Sequence, residues 1–223
     1  MAATARTQDI SLLPEERHFQ QKLDKAEKGI AKKLTFFLRH GETLPIGPDG
    51  YIEISQLYRP LGISSRTFNE ELCLRIVAQD QKQRFSMIRR RRKVMIRANQ
   101  GHSISTIRSE KLLTPIVDPD EVPVLIHGTY WKAWPLILEC GGLSRMNRTH
   151  VHMTTALPDS GEVVSGMRQS SEIAIFVDAR RAMEELNIRF FRSSNGVILT
   201  TSLIPVSCFA KVIRIEDRSI VEF

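Results

Sequence analysis

The chain has 223 residues, 42% of them hydrophobic, which is enough for one large core or two small ones and excludes disorder throughout. Its formal net charge is +7, but residues 1–111 carry 21 Lys and Arg against 12 Asp and Glu, net +9, and the remainder carries 11 against 13, net −2. Such asymmetry fits a basic module that binds a polyanion, joined to a module with a different task, and equally, on charge alone, a solvated basic surface.

Cys73, Cys140 and Cys208 are far apart and show no CxxC spacing, so free thiols and a reducing compartment are expected, and a structural zinc site is not. Residues 1–14 lack an apolar signal core, and no apolar run reaches the roughly 18 residues that span a bilayer. A soluble intracellular protein is expected.

Ala26, Ile30, Leu34 and Phe37/Leu38 recur at helical spacing and predict a helix over 14–40 that stops at Gly41. Arg39 and His40 then fall in its last turn, where the macrodipole favours positive charge by roughly 0.3–1 kcal/mol. That placement alone accounts for the pair. Asp49-Gly50 marks a turn, residues 51–54 alternate as a short strand, and Ser55 caps a short helix. Ser65 is the expected N-cap of a second helix carrying Phe68, Leu72 and Ile76. Apolar runs at 85–88 and 94–96 flank Arg89, Arg90, Arg91, Arg92 and Lys93, which predicts a hairpin with a five-cation tip. Helices followed by a hairpin make a winged-helix-like module whose tip would track a phosphate backbone, with a disordered basic loop or a nuclear-import patch as the alternative.

Arg97 opens a segment with Asn99, Gln100, His102 and Ser103, dense in groups that bind anions or sugar hydroxyls, so an active-site loop is expected here. Pro115, Pro119 and Pro123 punctuate an acidic stretch. The expected organisation is a tail at 1–20, a winged-helix-like, polyanion-binding lobe at 21–113, a linker at 114–123 and a second lobe at 124–223.

In the second lobe, residues 122–126 predict a strand ending at His127-Gly128-Thr129, and Pro135 opens a helix closed by Gly141-Gly142. A loop is expected at 158–161, a buried strand at 173–178, a short helix at 181–186, and strands at 197–200 and 210–215. Residues 144–153 contain Arg148, His150 and His152, whose side chains share one face if the segment is extended. Two imidazoles invite a metal, but a guanidinium beside them suits an anion such as phosphate.

Six pieces in order resemble the tRNA 2′-phosphotransferase family: Leu38-Arg39-His40-Gly41, residues 96–103, His127-Gly128-Thr129, residues 146–152, Ser165-Gly166-Met167-Arg168 and Ser194-Asn195-Gly196-Val197. The resemblance implies an α+β protein, with an N-terminal winged-helix lobe followed by a C-terminal ADP-ribosyltransferase-like β-sheet lobe. It implies removal of an internal RNA 2′-phosphate by transfer to NAD⁺, giving 2′-OH RNA, nicotinamide and ADP-ribose 1″,2″-cyclic phosphate, with no metal. The family's catalytic set falls on Arg39, His40, Arg97 and Arg148. Its NAD⁺ motif falls on His127, His152 and Val197, with Gly128 and Thr129 admitting the dinucleotide to the backbone, Arg168 and Ser170 near its phosphates, and Asn195 and Gly196 beside Val197. The expected partners are RNA with an internal 2′-phosphate and NAD⁺, with no membrane, for a monomer whose site lies between the lobes. The rivals are another ADP-ribosyltransferase acting on nucleic-acid ends or protein, an inactive winged-helix RNA-binding protein, and a metal-dependent hydrolase built on His150 and His152.

Overall fold

Asp24 starts the first helix. Its carboxylate accepts the Glu27 amide at 2.8 Å while Glu27 accepts the Asp24 amide at 3.0 Å, a reciprocal cap that fixes α1 at Lys25–His40. The computed structural model describes residues 8–9, 21–108, 111–158, 160 and 165–223. The expected helical stretch 14–20, most of the tail, and two residues of the expected loop at 158–161 lie outside the described residues. The chain divides into two units, residues 1–112 and 113–223. Its architecture is mixed α/β, with several small sheets and few helices.

In the first unit, α1 buries Leu34 and Leu38 completely, as the helical spacing requires. Ile52–Glu53 forms β2, followed by a 3-10 turn at Ile54–Leu57 and α2 at Tyr58–Leu61. The next helix, α3, spans Glu70–Ala78, and its cap is Asn69 rather than Ser65. The Asn69 side chain accepts the Leu72 amide at 2.9 Å, and Glu70 and Glu71 place negative charge on the first turn. Phe68 therefore precedes the helix, yet it is fully buried and meets Tyr58 edge-on with centroids 6.3 Å apart. Burial of a side chain of this size contributes about 1.5–3 kcal/mol. An Arg75–Glu27 ion pair joins α3 to the start of α1.

The hairpin is present and longer than its apolar runs. β3 (Phe85–Arg90) pairs antiparallel with β4 (Lys93–Ala98), from Phe85 opposite Ala98 to Arg90 opposite Lys93. Only Arg91 and Arg92 form the turn. β4 also pairs with β2, and β3 with β1 (Gln8–Asp9), giving the order β1-β3-β4-β2. Burial pushes the Cys73 thiol up to about 12, so it stays a protonated core group.

The second unit opens with β5 at Leu113–Ile116, which takes the last residue of the expected first lobe and the first three of the expected linker. Pro115 lies in this strand because β5 is at the edge of its sheet, where one side of the backbone has no ladder to complete. A 3-10 turn at Pro119–Glu121 follows, capped by Asp118. β6 runs from Leu125 to Thr129, so His127, Gly128 and Thr129 lie inside the strand rather than after it. Next come α4 (Trp134–Glu139), β7 (Gly142–Leu143), β8 (Val151–Met153), β9 (Ile173–Val177), a π-turn at Arg181–Glu185, β10 (Phe190–Ser193), β11 (Ile198–Thr200), β12 (Ile204–Pro205) and β13 (Phe209–Arg214).

The strands form a β5-β10-β11-β8 sheet, a β13-β9-β6 sheet and a small β12-β7 pair, all antiparallel. Ile173, Ile175 and Val177 of β9 share a core with Val151, Met153, Phe190 and Ile198 of the four-stranded sheet. Ala174, on the opposite face of β9, packs with Ile126, Met167 and Ile213. Both faces of β9 are thus covered, which explains its continuous apolar sequence. A bridge between Ile126 and Thr154 ties β6 to the end of β8. No helix among the described residues is long and apolar enough to cross a membrane.

Candidate active site

Arg39 and His40 occupy the last turn of α1, where backbone carbonyls lack helical partners. The loop after β4 supplies one: the Ser103 amide donates to the Arg39 carbonyl at 2.9 Å, and Ser103 Oγ hydrogen-bonds His40 Nδ1 at 2.9 Å. Gly101, at φ +85°, lets this loop fold tightly. A Cβ there would lie 3.2 Å from Arg39 Cζ and would strain the backbone. On the other side of His40 stands the Phe36 ring, 5.4 Å away, tilted 53° and 59% exposed.

Arg97 reaches the same loop from β4. Its guanidinium lies over the Tyr51 ring at 4.8 Å, with Nη1 donating to the Asp49 carbonyl at 3.4 Å. Its Nε is buried without a hydrogen-bond partner among the described residues, a costly state that a bound anion would relieve. Gly50, with φ +78°, sits between Arg97 and His102: a Cβ there would be 3.6 Å from Arg97 Cβ and 3.7 Å from His102 Nε2. Arg39, His40, Arg97, His102 and Ser103 are therefore gathered around one loop. Asn99 plays another part. It is buried, receives the Ser86 hydroxyl at 2.5 Å and donates to the Gln83 carbonyl at 2.7 Å, so its amide holds the loop to the hairpin. Gln100 is also buried.

In the second unit, Arg145 to Arg148 is a turn closed by the Arg148 amide on the Arg145 carbonyl at 3.1 Å, with Met146 at φ +52°. The extended geometry that would align Arg148 with both histidines begins only at Val151. His152 lies in β8 opposite Leu199, and its carbonyl hydrogen-bonds His127 Nδ1 at 2.8 Å. His150, just before the strand, meets Thr149 Oγ1 at 2.8 Å. Burial lowers the pKa of His127, and nearby Arg148 adds to this against the opposing His152 carbonyl. Burial, then Arg145, lowers that of His150. Both are neutral at pH 7. Among the described residues, no group of three or more His, Cys, Asp or Glu side chains is placed to hold a metal ion.

Arg148 is half-buried and has no carboxylate partner among the described residues, where burial and the charge of Arg168 both lower its pKa. Two guanidinium groups so placed favour an anion between them. Arg168 Nη1 donates to Tyr130 Oη at 3.5 Å, and Tyr130 Oη hydrogen-bonds Ser170 Oγ at 2.9 Å. The Ser170 bond and then Arg168 hold the Tyr130 phenol below its ordinary pKa. Gly128 behaves differently from expectation. A Cβ there would come within 2.5 Å of Met167 Cγ and 2.7 Å of Ser171 Oγ, so the missing side chain makes room for Met167 and Ser171. Ser171 Oγ is buried with no hydrogen-bond partner among the described residues, and Thr129 is buried. Gly196, at φ +79°, and Asn195 form the turn between β10 and β11; Asn195 Oδ1 accepts the Ser193 hydroxyl at 2.8 Å, and Val197 is fully buried.

Tyr51, Tyr130 and Phe36 are the site neighbours that sequence reasoning missed. Tyr130 directly follows His127-Gly128-Thr129, and Phe36 precedes His40 by one helical turn, so local position was the available signal.

The chain belongs to the RNA 2′-phosphotransferase, Tpt1/KptA family, whose model matches residues 25–202. That span contains α1 through β11 and all the positions described above. The relatives include the tRNA 2′-phosphotransferase 1 of Danio rerio, 40% identical over 77% of this chain and 76% of its own length. That of Homo sapiens is 42% identical over 77% and 68%. The tRNA 2′-phosphotransferase of Saccharomyces cerevisiae is 35% identical over 85% of each chain.

Proposed function

We propose that this chain removes an internal RNA 2′-phosphate, of the kind left at a tRNA splice junction, by transferring it to NAD⁺. The family match across residues 25–202 carries this reading. The buried Nε of Arg97, without a hydrogen-bond partner among the described residues, and the half-buried Arg148, without a carboxylate partner among them, support it chemically, because a phosphate monoester is largely dianionic at pH 7 and binds guanidinium groups. The first unit reads as a winged-helix RNA lobe, with three helices ahead of a hairpin. The second reads as an ADP-ribosyltransferase-like lobe built on its two main sheets.

In this reading, Arg39, Arg97 and Arg148 are the phosphate-binding groups of their units, and guanidinium groups of this kind offset the charge that grows on phosphorus as it changes partners. NAD⁺ supplies a glycosidic carbon whose nicotinamide is a good leaving group. A phosphate oxygen bonds to that carbon as nicotinamide departs; the ribose 2″-hydroxyl then gives up its proton as its oxygen bonds to phosphorus, and the bond to the RNA 2′-oxygen breaks as that oxygen takes up a proton. His40, held by Ser103 through Nδ1, hydrogen-bonds the phosphate and protonates the departing RNA oxygen. Neutral His127, together with His152, orients the dinucleotide's ribose, while Arg168, Tyr130 and Ser170 meet its diphosphate. The donors in the second unit fit such a ligand: a half-buried guanidinium beside a second one, and a buried Ser171 hydroxyl with no partner among the described residues.

The test is nicotinamide release from NAD⁺ by the full chain, with a 2′-phosphorylated oligonucleotide and with its 2′-OH counterpart. Release only with the phosphorylated RNA, which ends as 2′-OH RNA, is expected. A lasting ADP-ribose adduct on RNA or protein would instead favour a different transferase.

A further inference from the structure

The five cations from Arg89 to Lys93 are not equivalent. Arg89 is ion-paired with Glu70, Arg90 with Asp49 at 2.8 Å, and Lys93 with Glu53 at 2.7 Å. These pairs hold the hairpin to the rest of its unit and neutralise most of the charge of the run. Arg91 and Arg92 remain, without a carboxylate partner among the described residues and exposed at the turn.

Their backbone is unusual. Arg91 has φ +49° and Arg92 φ +66°, the left-handed conformations that a two-residue hairpin turn demands at both central positions. Asn-Gly or Gly-Gly fills such turns at least cost; two arginines oppose both the backbone preference and each other's charge. A strained, like-charged pair at the tip of a neutralised hairpin marks a binding element rather than a structural one.

We infer that Arg91 and Arg92 together form a backbone contact for the substrate RNA, away from the nucleotide that carries the 2′-phosphate. The inference rests on the phosphotransferase reading above. Arg92 and Arg97 are five residues apart along β4 and its turn, which is about 17 Å at ~3.4 Å per residue. A dinucleotide held at Arg97 cannot span that distance, whereas a stem-loop can. The contact is read by charge and carries no base specificity.

The test compares the full chain with R91N/R92G and R91K/R92K on a 2′-phosphorylated dinucleotide and on a 2′-phosphorylated stem-loop, with KM measured across a range of salt. Asn-Gly is the favoured sequence for this turn, so R91N/R92G melts no lower than the parent. For the stem-loop, its KM rises on the order of tenfold more than for the dinucleotide, and the slope of log KM against log salt flattens by about 2, as loss of two phosphate contacts requires. R91K/R92K keeps most of the stem-loop affinity. Equal KM and equal salt slope for parent and R91N/R92G on the stem-loop would overturn the inference while leaving the phosphotransferase reading intact. A parent inactive on both RNAs would overturn that reading itself.

Discussion

The imidazole of His40 and the hydroxyl of Ser103 meet at 2.9 Å although 63 residues separate them in the chain. One is fixed by the last turn of a helix and the other by a loop whose amide caps that helix. The pair couples helix termination to imidazole orientation, which is what a group that must deliver a proton along one direction needs. Ser103→Ala should lower kcat by about tenfold with little change in KM for NAD⁺, as loss of orientation within a general-acid contribution of roughly 10²–10⁴ predicts. Partial recovery in Ser103→Thr, which keeps the hydroxyl, would separate orientation from loop collapse. An unchanged kcat in the alanine variant would remove Ser103 from the mechanism.

Gly101 faces Arg39 in a left-handed conformation. Gly101→Ala should cost about 1–2 kcal/mol of stability from the backbone alone. It should also displace Arg39, so activity falls further than a stability loss of that size explains. Thermal melting together with kcat at a temperature well below the transition checks both parts. Full activity at reduced melting temperature would mean that the guanidinium does not act where the loop holds it.

Arg148 is desolvated beside Arg168, and the proposed role depends on two planar donors rather than on charge alone. Arg148→Lys should therefore lower kcat/KM by on the order of 10²-fold, a loss comparable with removal of one preorganised donor. A lysine variant within a few-fold of the parent would show that point charge suffices.

His127 and His150 have pKa values below their ordinary 6.5 in the folded chain. The unfolded chain therefore takes up protons near pH 6.5 that the folded chain refuses until lower pH. Where the unfolded state binds more protons, stability rises with pH. Stability from these groups is complete above about pH 6.5 and is lost as pH falls below it. Melting temperatures between pH 7.5 and 5.5 should decline less steeply in His150→Asn than in the parent. Parallel curves would place the acid sensitivity elsewhere.

Period and turn chemistry made much of this molecule legible before its structure. Leu34 and Leu38 at four-residue spacing identified the buried face of α1, and the apolar runs around the arginines identified β3 and β4. The side chains gathered at the loop after β4 were also readable, because that loop holds hydrogen-bonding groups where a connector would hold few. Other features depend on contacts far along the chain. Ser65 and Asn69 are both good caps, and the burial of Phe68 against Tyr58 goes with the later start of α3. The turn at Arg145 to Arg148 removed Arg148 from the face of the two histidines, since alternation holds only where the backbone is extended. Pro115 looked like linker punctuation, but an edge strand accepts proline, and its partner β10 is more than 70 residues away, as Phe191 opposite Pro115 records. Gly128 looked like an opening for a ligand, and the side chain that fills it, Met167, comes from a distant loop.

The most direct measurement follows the phosphorus. An oligonucleotide with a ³²P-labelled internal 2′-phosphate is incubated with the full chain and NAD⁺, with and without chelator, and the label is tracked by thin-layer chromatography. Label should leave the RNA only when NAD⁺ is present, unaffected by chelator, and appear as ADP-ribose 1″,2″-cyclic phosphate in step with nicotinamide. Label released as inorganic phosphate without NAD⁺, or retained on the RNA by active, folded protein, would contradict the proposed transfer.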